Sequence, residues 1–181
     1  NTTPSYLASG LNTDTAYEYY VRAICDPLHN SNWIGPFLFR TNCNPLPTPF
    51  LETFDSNSTT ETCWKVVNNN TDGHYWNLNQ TVAPIGGDQM AAMFTGSNGA
   101  NNDWLITPTL QAHAGQRLRF SYKVMDDFFE EDLKIKLSTN GTDLTQFTTI
   151  LYETSFSTTT AGPIVSGSNT LTVTSSTGIR I

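Results

Sequence analysis

The sequence predicts an all-β protein, a sandwich or barrel of many short strands, and three observations carry the expectation. Helix formers such as Ala, Leu, Glu and Lys are sparse, while β-branched and aromatic residues are plentiful. Apolar residues recur in short runs or alternate on a two-residue period, and no stretch has a convincing helical period. Turn clusters rich in Asn, Gly and Pro separate these runs at short intervals. Hydrophobic residues at 38% and aromatics at 12% suffice for a core, which argues against disorder.

The elements follow in order. Ser5 to Leu7 is a short extended piece. In Tyr17 to Cys25, Tyr17, Tyr19, Val21, Ala23 and Cys25 share one face of a strand. Asp26 to Asn32 is a loop. Ile34 to Thr41 returns, with Pro36 tolerable only at an edge or bulge. A lone hairpin is unstable, so this unit is expected to have partners upstream. Asn44-Pro-Leu-Pro-Thr-Pro49 has three prolines in five residues and reads as a stiff linker and domain boundary. Beyond it, strands are expected at Phe50–Phe54, Cys63–Val67, Trp76–Val82, Met90–Phe94, Trp104–Thr107, Leu118–Val124, Leu133–Ser138, Gln146–Tyr152 and Asn169–Thr174. Asn68 to Gly73, Asn98 to Asn102 and Ala114-Gly115 are the turns between them.

Charge narrows the function. Nine Lys and Arg stand against sixteen Asp and Glu, a net charge of -7. Nine scattered basic residues cannot make a broad phosphate-tracking surface, so no nucleic-acid partner is expected. No apolar run approaches the roughly 20 residues of a membrane helix. Thr, Asn and Ser fill 59 of 181 positions, a surface suited to exposure outside a cell. With no initiator Met, no charged-then-apolar leader and no polar tail, the chain is expected to be a piece of something longer.

Two resemblances sharpen the fold. Leu11-Asn-Thr-Asp-Thr-Ala-Tyr17, Val21-Arg-Ala-Ile24, Trp33-Ile-Gly-Pro-Phe37 and Phe39-Arg-Thr41 resemble the C-terminal half of a fibronectin type III domain. The resemblance implies a tyrosine corner at Leu11 and Tyr17, the Tyr17 hydroxyl capping a nearby loop. Pro49-Phe-Leu-Glu-Thr-Phe-Asp55, Cys63-Trp64, Asp72-Gly73 with Trp76, Asn102-Asp-Trp-Leu-Ile-Thr-Pro108, Gly115-Gln-Arg-Leu-Arg-Phe120 and Leu137-Ser-Thr-Asn-Gly141 are similar to the cleaved-adhesin and choice-of-anchor J group of MAM-like jelly rolls. The chain departs in having Asp55 where Glu is usual, and no final jelly-roll strands are recognisable after about Phe156. The resemblances imply a partial fibronectin type III sandwich at residues 1–43, a linker at 44–49 and a jelly-roll β-sandwich at 50–181, incomplete at its C-terminus.

The second resemblance also implies calcium near the start of the jelly roll. By position Asp55 and Asp103 are the foremost ligand candidates, with Asp72 and Glu52 behind them. Calcium takes six to eight oxygens from carboxylates and carbonyls, and loops at strand ends supply both. The alternative for Asp103 is to cap its own loop.

The three cysteines, Cys25, Cys43 and Cys63, suggest one disulfide and a leftover. With no CxxC and spacings of 18 and 20, a cysteine metal site is disfavoured. If Ile34 lies opposite Cys25, Cys43 is roughly 30 Å from it, beyond the ~7 Å a disulfide allows. Cys43 is therefore expected to bond Cys63, leaving Cys25 buried as a small apolar residue or paired with a missing segment.

Other constellations carry bland readings beside sharper ones. Asp126 to Asp132 holds five carboxylates in seven residues, a solvated loop or a weak second cation site. His29, His74 and His113 stand apart, with no HExxH and no Ser-His pairing, so no hydrolase site is expected. Gly86-Gly87 and Asn98-Gly99 are turns rather than phosphate loops. Among Trp33, Trp64, Trp76 and Trp104, Trp64 and Trp104 are expected in the core, and Trp76 is the candidate to stack on a glycan. The sequons at Asn57, Asn69, Asn79 and Asn140 are expected by chance in so Asn- and Thr-rich a chain.

The expected function is non-catalytic adhesion or binding: a spacer, stiffened by calcium, that presents loops to a glycan or protein. The resemblances imply a secreted or cell-surface bacterial protein of Bacteroidetes, neighbouring domains in the same chain, and export by a type IX route. An accessory module of a secreted protease or glycoside hydrolase is one alternative, and a stalk or filament component another.

Overall fold

The computed structural model describes residues 5–26, 29–94, 101–123, 131–156, 165–170 and 178–179. It is all β, with no α-helix among the described residues. The chain divides into two compact units, Asn1–Asn44 and Pro45–Ile181.

The first unit is a long hairpin. Strands β1 (Ala16–Val21) and β4 (Ile34–Arg40) pair antiparallel, with Tyr19 opposite Phe37 and Val21 opposite Ile34. Between those pairs Gly35 and Pro36 together oppose Tyr20, so the proline, which has no N–H, sits in a bulge as expected. Gly35 has φ +146, and a Cβ there would lie 2.8 Å from the Tyr19 carbonyl oxygen, so the position needs glycine. The expected strand 17–25 breaks at Arg22-Ala23, and β2 (Ile24–Asp26) pairs with β3 (His29–Asn30) as a separate tip. The Asp26 carboxylate clamps that tip, accepting from the His29 amide at 3.0 Å and lying 2.6 Å from its Nδ1. Cys25 falls at the irregularity of this tip and is free and exposed, which corrects the expectation of a buried residue.

One face of β1 and β4 is aromatic. Tyr17 stacks on Phe39 at 5.7 Å and Tyr19 on Phe37 at 5.2 Å. The Tyr17 hydroxyl accepts the Asn12 amide at 2.8 Å, the loop-capping bond that the resemblance implied.

The second unit runs β5 (Leu46–Pro47), β6 (Lys65–Asn68), β7 (Asn77–Gln80), β8 (Met90–Ala92), β9 (Asp103–Ile106), β10 (Leu110–Gln111), β11 (Arg117–Tyr122), β12 (Glu131–Leu137), β13 (Thr149–Phe156), β14 (Val165–Thr170) and β15 (Gly178–Ile179). Antiparallel ladders join β6 to β9, β7 to β8, β11 to β14 and β12 to β13. β10 lies between β5, which is parallel to it, and β15, which is antiparallel.

Two expectations change here. Leu46-Pro47, read as linker, pairs with Leu110-Gln111 and so belongs to the second unit's sheet. Phe50 to Phe54, read as a strand, is irregular: Phe54 has φ 58, and the amides of Thr53 and Phe54 bond the Glu52 side chain instead of a ladder. The core gathers Leu110, Ala112, Leu137 and Leu151, with Leu46, Phe50, Leu118 and Ile135 packed against them. Burying each such leucine is worth about 1.5–3 kcal/mol. Residues 95–100, 124–130 and 171–177 lie outside the described residues, and with them most of the acidic run and the end of the last expected strand.

Cys43 and Cys63 are disulfide-bonded, the pairing that the sequence favours. The register behind that inference differs, because Ile34 opposes Val21 rather than Cys25.

Candidate functional site

The four candidate ligands separate into three places. Glu52 accepts five hydrogen bonds, from the amides of Thr53 and Phe54, the hydroxyls of Ser58 and Thr60 and the indole of Trp64, at 2.7 to 3.1 Å. Burial raises the Glu52 carboxyl pKa, but the donors from Thr60, Phe54, Ser58 and Trp64 outweigh it, and the group lies below the usual glutamate range. Its oxygens are committed to folding the 52–64 segment, where Trp64 also packs on Phe54 at 4.8 Å.

Asp55 is likewise committed to a loop. Its Oδ1 accepts the amides of Asp88 and Gln89 at 2.8 and 3.4 Å. Asp88 answers by accepting the amide of Ser56 at 2.9 Å and its hydroxyl at 2.5 Å. The two aspartates cross-clip the 54–58 and 86–89 loops, with Gly87 pressed against the Asp55 carboxylate. Asp88 carries no signal in the sequence beyond its place after the Gly86-Gly87 turn.

Asp103 differs. It begins β9 opposite Asn68 at the end of the β6–β9 ladder, and the Asn69 amide donates to the Asn102 carbonyl at 3.1 Å. This brings the 68–74 turn against the start of β9. Both Asp103 carboxylate oxygens are buried and have no hydrogen-bond partner. The Asn102 amide leans on the carboxylate without making a regular bond. Burial, and after it the neighbouring charge of Asp72, pushes the Asp103 carboxyl above the ordinary aspartate range.

Asp72 is held facing this point. One of its oxygens accepts the His74 amide and the other the Asn70 side-chain amide, both at 2.9 Å. The Asn70 and Asn101 side-chain carbonyl oxygens are buried as well. Trp76 is half-buried and donates its indole N–H to the Asp103 carbonyl at 3.2 Å, which fixes its ring to this loop end. The more exposed aromatic beside it is Tyr75.

The structure thus brings Asp72 and Asp103 together and leaves Glu52 and Asp55 in networks of their own. Among the described residues, these four carboxylates form no cluster of three or more. A buried carboxylate without a donor is costly, about 1–3 kcal/mol or more, unless a cation answers it. Carboxylate oxygens at a strand end are the hard donors that calcium takes, and the unanswered Asp103 carboxylate beside Asp72 fits that ion.

A shallow cleft of about 410 Å³ opens beside the Glu52 network, between Leu46, Pro49 and Leu51 and the 57–60 turn. The Ser58 and Thr60 hydroxyls on its wall already donate to Glu52, so it offers a polar ligand little.

A family model described as Cleaved Adhesin Domain matches residues 48–178. Among solved structures, the chain is similar to the K1 cleaved adhesin domain of Lys-gingipain from Porphyromonas gingivalis W83, at 20% identity and a TM-score of 0.54, covering 71% of this chain and 83% of that one. The K3 cleaved adhesin domain of the same protein is similar at 20% identity and a TM-score of 0.49, covering 65% and 79%. No curated protein matches the chain.

Proposed function

The chain belongs to the Cleaved Adhesin Domain family, and from that membership we propose that it is a non-catalytic adhesion module of a larger secreted or cell-surface protein, stiffened by calcium. The family match carries the adhesion reading. The unpartnered Asp103 carboxylate facing Asp72 carries the calcium reading. Bound there, the ion supplies charge neutralisation and cross-links the 68–74 turn to the start of β9. The ligands from this chain are the carboxylates of Asp103 and Asp72. Glu52 and Asp55 lie in networks of their own, apart from Asp103, and serve the fold instead.

The first unit is proposed as the C-terminal half of a fibronectin type III-like sandwich. Its support is the bond from the Asn12 amide to the Tyr17 hydroxyl and the aromatic face of Tyr17, Tyr19, Phe37 and Phe39. Such a face, uncharged and 38–47% exposed at Tyr19, Phe37 and Phe39, suits the inner surface of a sandwich covered by a second sheet. A second reading of the whole chain is an accessory module within a secreted hydrolase. What favours it is that the K1 structure it resembles is one domain of a longer protein, Lys-gingipain.

The test is binding of beads coated with the full 181-residue chain to arrays of glycans and extracellular-matrix proteins, in calcium and in chelator. Saturable binding weakened by chelator is expected. Absence of saturable binding to every array member would overturn the adhesion reading.

A further inference from the structure

Among the described residues, six of the eight lysines and arginines of this acidic chain have a partner. Arg40 and Lys134 pair with the carboxylates of Asp14 and Glu153 at 2.7 Å. Arg22 and Lys136 lie on tryptophan rings. Lys65 and Lys123 donate to oxygens of Thr142 and Ala83. Among the described residues, Arg117 and Arg119 have neither an acid, a ring nor a hydrogen-bond acceptor.

Both arginines are exposed and stand two positions apart on β11, so they share its solvent face about 7 Å apart. The alternate residues Leu118, Phe120 and Tyr122 turn inward, where Phe120 and Tyr122 meet Tyr152. The register sets Arg117 opposite Thr170 and Arg119 opposite Ser168. No carboxylate occurs anywhere in the twelve positions of the β11–β14 ladder, in a chain with sixteen acids. Two cations adjacent and unneutralised repel each other, and local acids that could relieve this are missing from the ladder.

We propose that the solvent face of β11 is a contact surface for an acidic polysaccharide, whose successive carboxylate or sulfate groups engage Arg117 and Arg119. The proposal rests on the adhesion reading and names its ligand class. Guanidinium forks bind planar carboxylates and sulfates through paired hydrogen bonds. A strand face with two exposed, anion-seeking groups at a fixed spacing matches a stiff chain whose charges repeat. Nucleic acid fits poorly, since duplex binders neutralise many phosphates and this chain carries a net charge of -7. A flexible acidic peptide would lose more freedom on binding for the same two contacts.

The experiment is retention and equilibrium binding of the full chain on heparin (sulfate) and polygalacturonate (carboxylate), beside neutral dextran, polyglutamate and duplex DNA. Arg117→Gln and Arg119→Gln are compared, singly and together, with Arg22→Gln, which removes the same charge elsewhere. Expected are binding to one or both acidic polysaccharides but not dextran, roughly tenfold weakening per arginine, and a salt slope shallower by about one for each. The arm that binds tells sulfate from carboxylate recognition. Equal weakening by Arg22→Gln, no change in the double variant, or equal binding to polyglutamate or DNA would overturn the proposal. If the arrays bind the chain and the double variant is unaffected there, the surface is wrong and adhesion stands. If no array binds it, adhesion itself has failed. Unchanged thermal midpoints in the variants separate lost contacts from lost fold.

Discussion

Replacing Asp103 by Asn should stabilise the metal-free protein and abolish its response to calcium. The carboxylate has two buried oxygens without donors, and Asp72 faces it with a like charge. Removing the charge while keeping the shape should recover about 1 kcal/mol of the 1–3 kcal/mol that an unsatisfied buried group costs. The second unit runs from Pro45 to Ile181, and for a domain of that size each kcal/mol moves the midpoint by about 3–4 °C. The Asp103→Asn variant should therefore melt about 3 °C higher than wild type in chelator. Extracellular calcium sites bind at about 10⁻⁴–10⁻³ M. At about 10 mM calcium, a hundredfold excess over a dissociation constant of 10⁻⁴ M, the wild type should gain about 2.7 kcal/mol, or about 9 °C. The sign with pH also follows. A carboxyl whose pKa is raised by folding holds its proton more tightly in the native state. Metal-free stability should thus fall as pH rises from the ordinary aspartate value through the raised one, and Asp103→Asn should flatten that fall. The assay is calorimetry of both proteins, with calcium and with chelator, from pH 4 to 7. A calcium shift that survives in Asp103→Asn would refute the site. A lower chelator midpoint for the variant would refute the claim that this carboxylate is unpaired.

Glu52 should behave in the opposite sense. Its pKa is lowered on folding, so its stabilisation is full above the unfolded glutamate value of about 4.3 and is lost as pH falls through the lower folded value. Glu52→Gln should cost about 2–3 kcal/mol at pH 7, because an amide cannot accept from the Trp64 indole, the two hydroxyls and the two amides together, and the difference from wild type should shrink at acid pH. Urea titrations at pH 7 and pH 3 read this directly, and an equal penalty at both pH values would contradict it. Gly87→Ala should cost about 2 kcal/mol. Gly87 has φ +55, and a Cβ there would lie 1.8 Å from the Asp55 Oδ1, which the Asp88 and Gln89 amides hold in place. A chemical-denaturation midpoint unchanged within error would show that the Asp55–Asp88 clip is loose.

Local chemistry made much of this protein legible in its sequence. The alternation of Tyr17, Tyr19 and Val21 marks a strand, Pro36 can occupy only a bulge or an edge, and both hold because each depends on residues a few positions apart. The segment Asp103 to Ile106 is a strand for the same reason. Asp72 and Asp103 were visible as residue types that hold hard cations. Which carboxylate would be left without a donor was not. Glu52 is satisfied by Thr60 and Trp64 on the far side of a turn, and Asp55 by the amide of Asp88, 33 positions away. Leu46-Pro47 becomes a strand only because Leu110-Gln111 lies alongside it, and Phe50 to Phe54 fails to become one because a side chain captures its amides. Arg117 and Arg119 enter the sequence reading only within the Gly115–Phe120 segment, and the ladder is what shows hydroxyl residues, not acids, across from them. Periodicity and turn chemistry are short-range and survive in one dimension. Hydrogen-bond satisfaction and charge neutralisation are settled between segments remote in sequence, and only the tertiary structure decides which groups are left wanting a partner.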